Sequence, residues 1–175
     1  EAAGYTRAGP FSPGLGTHYT ITNEAALNVD GVLTEEDLRN PLSIIYDGSE
    51  PDSPVAGFMY YATTSVEPEG FAGENDVWHY HEQICLTYSA DGVINAPFGA
   101  DLEASQAQCD QVGGFMLEST QYMVHVWSVP GYDDVDGGVF AEVNPALDCA
   151  DGSYWRLPPS QWADHLINVC EAGAA

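Results

Sequence analysis

The sequence predicts an all-β fold, and three observations carry that prediction. Short runs of β-branched and aromatic residues recur along the chain, bounded by clusters of Gly, Pro, Asp and Asn. Helical periodicity is confined to two short stretches. A His-x-His pair lies inside one of the strand-like runs, where alternate side chains point to one face. At 175 residues the chain is long enough for one domain with a real core.

Glu1 to Gly16 is rich in Gly and Pro and lacks periodicity, so residues 1–16 read as an N-terminal arm and residues 17–175 as a single β domain. Thr17 to Asn23 reads as a strand, with His18 sharing a face with Thr20 and Thr22. Asn28 to Asp37 fits part of a calcium-loop spacing through Asn28, Asp30 and Asp37, but Ala26 stands at the first ligand position. The competing reading is a turn at Asp30-Gly31 followed by a short helix capped by Thr34. Pro41 to Asp47 and Val55 to Thr64 are two strands joined by a polar turn.

The loop Ser65 to Asp76 leads into the histidine strand. There Val77, His79, His81, Gln83 and Cys85 are expected on one face and Trp78, Tyr80, Ile84 and Leu86 on the other. Asp101 to Val112 reads as a helix stopped by Gly113-Gly114. Tyr122 to Val129 is a strand carrying Met123, His125 and Trp127 on one face. Pro130 to Gly138, with Asp133, Asp134 and Asp136, reads as a solvated loop, and Val139 to Val143 as a last short strand. Ser160 caps a final helix whose apolar stripe includes Trp162, Leu166 and Cys170, with His165 at its edge.

Neutral imidazole is a general ligand for transition metals. His79 and His81 would project side by side toward one ion, with His125 as a third ligand and His18 as a fourth. Four cysteines in a chain that looks exported favour disulfides, with three pairings possible. Sequential pairing, Cys85–Cys109 and Cys149–Cys170, is the expectation. Each bridge would close a loop of about twenty-odd residues and contribute roughly 3 kcal/mol. The alternative for Cys85 is a thiolate on the metal, which would favour zinc or a copper electron-transfer site.

The spacing of Gly73, His79, His81 and Gly92 resembles the first motif of the cupin superfamily, with Cys85 where that family places a glutamate ligand. The second motif is represented by Gly114 and His125, with Thr120, Tyr122 and Val129 in place of its Pro, Gly and Asn. Trp78-His79-x-His81-x-x-x-Cys85, then Cys109, then Val124-His125-Val126-Trp127, is also similar to a group of secreted domains of unknown function. The resemblance implies a cupin-like barrel or jelly roll of about eight strands with two short helices. It also implies a metal centre within the mouth.

The charge balance excludes other classes. There are 27 Asp and Glu against Arg7, Arg39 and Arg156 and no Lys, a net charge of −24. Such a chain repels nucleic acid and anionic membranes, and no apolar run is long enough to insert in a bilayer. The excess acid fits a salty environment that screens self-repulsion. There is no glycine-rich phosphate loop, no Gly-x-Ser-x-Gly elbow and no Ser-His-Asp triad.

The expected protein is secreted, its signal peptide removed, and binds one transition metal through His79, His81, His125 and His18. Copper or zinc leads, with iron or manganese as further options. Three ligands and an open position would permit Lewis-acid or oxidoreductase chemistry, whereas four would close the site. The alternative is an extracellular structural subunit of a surface layer or fibre. It would assemble as a homo-oligomer through the N-terminal arm, with metal or calcium as a structural element.

Overall fold

The computed structural model describes residues 3–21, 23, 26, 34–69, 75–88, 94–98, 104–135, 138–149, 153–155 and 170–172. For Pro10, 94–98, 153–155 and 170–172 it describes the backbone. Among these residues are ten strands: β1 (Thr6–Ser12), β2 (Gly16–Thr20), β3 (Ser43–Tyr46), β4 (Val55–Ala62), β5 (Glu82–Tyr88), β6 (Ile94–Phe98), β7 (Phe115–Ser119), β8 (Tyr122–Val126), β9 (Ser153–Trp155) and β10 (Cys170–Ala172). One α-helix, α1 (Gln106–Gln111), and a 3-10 turn at Asp37–Arg39 complete the set. The protein is therefore mostly antiparallel β-sheet with little helix.

Three open sheets form, with strand orders β1-β2-β3-β4-β8, β6-β5-β7 and β10-β9. All strand pairings among the described residues are antiparallel. The described strands do not close into a barrel.

Cross-strand partners share a face, so the register assigns the inner face of the five-stranded sheet directly. One row runs Ala8, His18, Ile45, Gly57, and the next runs Thr20, Ser43, Met59, His125. This face is covered by a core that includes Ile45, Met59, Met123, Trp127 and Leu147. The opposite face buries Tyr60, Ala62, Val124 and Trp78. Gly57 is glycine because Trp127 lies on it: a Cβ there would stand 2.6 Å from Trp127 Cε3.

Three expectations change. The Gly/Pro-rich start is no arm along its length, because Thr6–Ser12 pairs with β2 in the sheet of its own chain. Gly9 and Pro10 are tolerated because β1 is an edge strand whose register shifts between Ala8 and Ser12. The regular strand after the histidines begins only at Glu82. Gln83 has φ 54°, a left-handed conformation that interrupts the alternation expected from Val77 to Cys85. Residues 139–143 are not a strand. They form a strap that offers carbonyls to side chains beneath it.

The helix expected over Asp101–Val112 is observed as α1, with residues 101–103 outside the described set. Ser105 caps it through a capping box with Gln108, which satisfies donors that the first turn leaves free. Asp37 spends its carboxylate on the Thr34 amide at 2.7 Å and the Thr34 hydroxyl at 2.6 Å, which makes it part of a capped turn. Asn28 and Asp30 lie outside the described residues, as do Asp136, His165 and the helix expected from Ser160.

Cys85 and Cys109 form a disulfide with Cα atoms 5.3 Å apart. Gly114 packs against it, and a Cβ at that position would meet Cys85 Sγ at 2.5 Å. Cys149 is also disulfide-bonded. The side chain of Cys170, its expected partner, lies outside the described residues. Among the described residues no helix is long and apolar enough to cross a membrane.

Candidate metal centre

His18 on β2 and His125 on β8 are separated in the sheet by β3 and β4. In a flat sheet three strand intervals would hold them about 14 Å apart. Their ring centres are 5.6 Å apart. The sheet is therefore strongly curled, and its inward side chains converge as they do in a barrel.

His79 joins from the strand run preceding β5. It forms an antiparallel bridge with Met123, donating its amide to the Met123 carbonyl at 2.9 Å and receiving the Met123 amide at 2.7 Å. Because Met123 and His125 share a face, His79 and His81 reach the same side. Thr120 holds His81 in place: its amide donates to the His81 carbonyl at 2.8 Å, and its hydroxyl accepts the His81 amide at 2.9 Å.

Ring centres lie 5.3 Å apart for His79–His81 and 5.3 Å for His79–His125. The ring neighbours run His18, His125, His79, His81 in sequence. The fold thus brings together all four histidines that the sequence singled out. Two imidazoles sharing one ion, with metal–nitrogen bonds of about 2.0–2.1 Å at tetrahedral angles, have ring centres about 5 Å apart. As the side chains stand, however, the donor atoms do not converge: among the described residues no group of three or more His, Cys, Asp or Glu is set to hold an ion. The rings have the spacing for a shared ion but would have to turn to bind one.

Hydrogen bonds settle which ring nitrogens point inward. His125 Nδ1 donates to the Glu142 carbonyl at 2.7 Å, leaving Nε2 with a free lone pair. His79 Nδ1 donates to the Val77 carbonyl at 3.2 Å, and its Nε2 is buried without a hydrogen-bond partner. Trp127, whose ring centre is 5.5 Å from that of His125, donates Nε1 to the Ala141 carbonyl at 2.7 Å. The strap therefore fixes His125 and Trp127 together. It is pinned in turn to the N-terminal hairpin, where the Asn144 amide donates to the Gly14 carbonyl at 2.8 Å.

Burial favours the neutral form of His18, His81 and His125. Burial pushes His18 down to about 4, and the neighbouring charge of His81 acts in the same direction. Burial lowers His125 well below the ordinary imidazole range, helped by His18, His79 and His81 and opposed by its bond to the Glu142 carbonyl. Burial also lowers His81, as does His79, while the Glu142 carboxylate opposes the shift. Unprotonated imidazole is the ligand form, so the group is ready for a cation at neutral pH.

Cys85 does not belong to this group. Its sulfur is committed to Cys109 in a separate cluster with Ala104 and Met116, so the thiolate-ligand alternative is overturned. The sequence reading missed the strap and Glu142, which touches the group through its backbone carbonyl. In a chain with 27 acidic residues, nothing in the sequence distinguishes this glutamate from the rest. Compared with known proteins, the chain matches no family model, no curated protein and no solved structure.

Proposed function

We propose that this chain is an exported acidic protein that binds one transition metal ion through His79, His81, His125 and His18. The observation that carries this reading is His79 Nε2, a buried nitrogen with no hydrogen-bond partner. An unsatisfied buried polar atom costs about 1–3 kcal/mol, and a metal–nitrogen bond removes that cost.

His125 supports the same reading, because a backbone carbonyl on Nδ1 is the usual way to aim Nε2 at a metal. The cupin-like spacing of His79 and His81 is a further support, as is the curled antiparallel sheet that draws inward side chains together. Imidazole donors suit copper and zinc, and also iron. Three imidazoles on the ion would leave a position for Lewis-acid or redox chemistry, whereas four would favour a structural or storage role. The disulfides support export, since they persist in oxidising compartments.

Elemental analysis of the purified protein, with His79→Ala and His125→Ala beside it, tests the reading. One equivalent of a transition metal in the parent and its loss from both variants is the expected result. Absence of metal from the parent, or its retention in both variants, refutes it.

A further inference from the structure

We infer that a cleft on the face of the five-stranded sheet opposite the histidines binds a neutral saccharide, held by Tyr19, Tyr46, Ser49 and Glu50. This site is separate from the histidine group, and the inference does not rest on the metal reading.

The strand register places the cleft. Alternate residues of a strand point to opposite faces, so with His18 facing inward its neighbours Thr17 and Tyr19 face outward. The register sets Arg7 beside Tyr19 and Tyr46 beside Thr17. Tyr19 and Tyr46 are therefore diagonal neighbours on adjacent strands, a spacing that aromatic rings can bridge. Their ring centres are 5.1 Å apart, edge to face at 70°. Together with Ser49, Glu50 and Pro51 from the turn after β3, they line a cleft of about 320 Å³. Small-molecule sites run from about 300 to 1,000 Å³, so the space suits a short saccharide.

The walls are fixed from within the chain. The Asp47 amide donates to the Pro54 carbonyl at 2.9 Å and closes the turn, and the Glu50 amide donates to the Ser53 hydroxyl at 3.0 Å. Ser49 is tied to the sheet: Arg7 Nη2 donates to its hydroxyl oxygen at 3.0 Å, and the Thr17 hydroxyl stands 3.4 Å from it. The Tyr19 and Tyr46 hydroxyls and the Glu50 carboxylate make no hydrogen bond or ion pair among the described residues. Two rigid aromatic rings thus border the same space as three uncommitted polar groups, the combination that small-molecule sites use.

Charge narrows the ligand class. An anion approaches a chain of net charge −24. A cation meets the Arg7 guanidinium, which is fixed behind Ser49 and has no carboxylate partner among the described residues. A neutral saccharide meets neither opposition. One face of a sugar ring is a patch of C–H groups that packs on an aromatic ring. Its hydroxyls both donate and accept, as the tyrosine and serine hydroxyls do, and the Glu50 carboxylate accepts.

The full chain is titrated with glucose, galactose, mannose, N-acetylglucosamine, cellobiose and maltose, and binding is followed by saturation-transfer NMR and calorimetry. Choline and glucuronate are the cationic and anionic comparisons. At least one of the six sugars is expected to bind at one equivalent, equally with and without chelator. Tyr46→Ala should weaken that binding at least about 10-fold, because the buried aromatic face is lost. Glu50→Ala should weaken it as well, and this residue lies in an exposed turn outside the sheet, so it decides the matter if Tyr46→Ala does not fold. Tyr88→Ala, which removes an exposed aromatic ring from β5, should match the parent. The inference is overturned if the parent binds none of the six sugars, or if choline or glucuronate binds more tightly than all of them. Undiminished affinity in folded Tyr46→Ala or in Glu50→Ala overturns it too, as does an equal loss in Tyr88→Ala. Binding that disappears on chelation moves the sugar to a metal site and overturns the assignment to this cleft. None of these results touches the histidine centre, which elemental analysis tests separately.

Discussion

Gly57→Ala adds one methyl group where the inner face of the sheet has no room for it. The new carbon would stand 2.6 Å from Trp127 Cε3, 3.0 Å from Cζ3 and 2.9 Å from the Val126 carbonyl oxygen. Ordinary carbon contacts are about 3.5–4.0 Å, so the indole must withdraw by about 1 Å. Trp127 is fully buried and donates Nε1 to the Ala141 carbonyl at 2.7 Å, so it cannot withdraw freely. Overpacking costs about 1–3 kcal/mol, and a buried donor pulled from its acceptor costs about 1–3 kcal/mol more. Replacing glycine in a strand returns roughly 0.5–1 kcal/mol. The net expectation is a destabilisation of about 2–4 kcal/mol, measured by urea unfolding with the disulfides intact. If the indole is the cause, the penalty shrinks by at least about 1 kcal/mol in a Trp127→Leu background. A penalty below about 0.5 kcal/mol, or one of equal size in both backgrounds, refutes the packing argument.

Two further outcomes follow from the same structure. The folded imidazole of His18 lies below its unfolded value, so between 6.5 and about 4 the unfolded chain takes up a proton that the folded chain refuses. Stability of the metal-free protein should therefore fall as pH drops through that window and then level off, with His18 contributing roughly 3 kcal/mol. Between pH 6.5 and about 4 the urea midpoint of the parent should fall relative to that of His18→Gln; parallel curves would contradict this. Replacing Cys85 and Cys109 together by alanine opens a loop of sequence separation 24 and should cost about 3 kcal/mol. An unchanged unfolding midpoint would show that the unfolded chain gains nothing from losing this bridge.

Much of the fold was legible because local patterns agree with it. The run read as a strand at Thr17–Asn23 overlaps β2, and those at Pro41–Asp47, Val55–Thr64 and Tyr122–Val129 contain β3, β4 and β8. Cys85 and Cys109 pair as expected, and α1 lies within the run read as helical. The expectation for β1 failed because Gly and Pro report local preference, while an edge strand with a register shift tolerates both. The break at Gln83 was invisible, since a glutamine at positive φ carries no compositional signal. His79 and His81 could be placed side by side from strand periodicity alone. The approach of His18 to His125 depends on curling of the whole sheet, a property that no short window of sequence contains. The strap was read as a strand because Val139, Phe140 and Val143 look strand-like. Its role lies in main-chain carbonyls, which every residue possesses.

The left-handed residue between the histidine run and β5 gives the molecule a form of chemical insulation. Only three residues separate His81 from Cys85, and an uninterrupted strand would have turned the sulfur toward the imidazoles. With the chain re-aimed at Gln83, the sulfur is buried with Ala104, Cys109 and Met116, away from the core that surrounds His125. Thiol oxidation depends on the groups beside the sulfur. Here the bridge and the imidazoles occupy separate surroundings within one short segment.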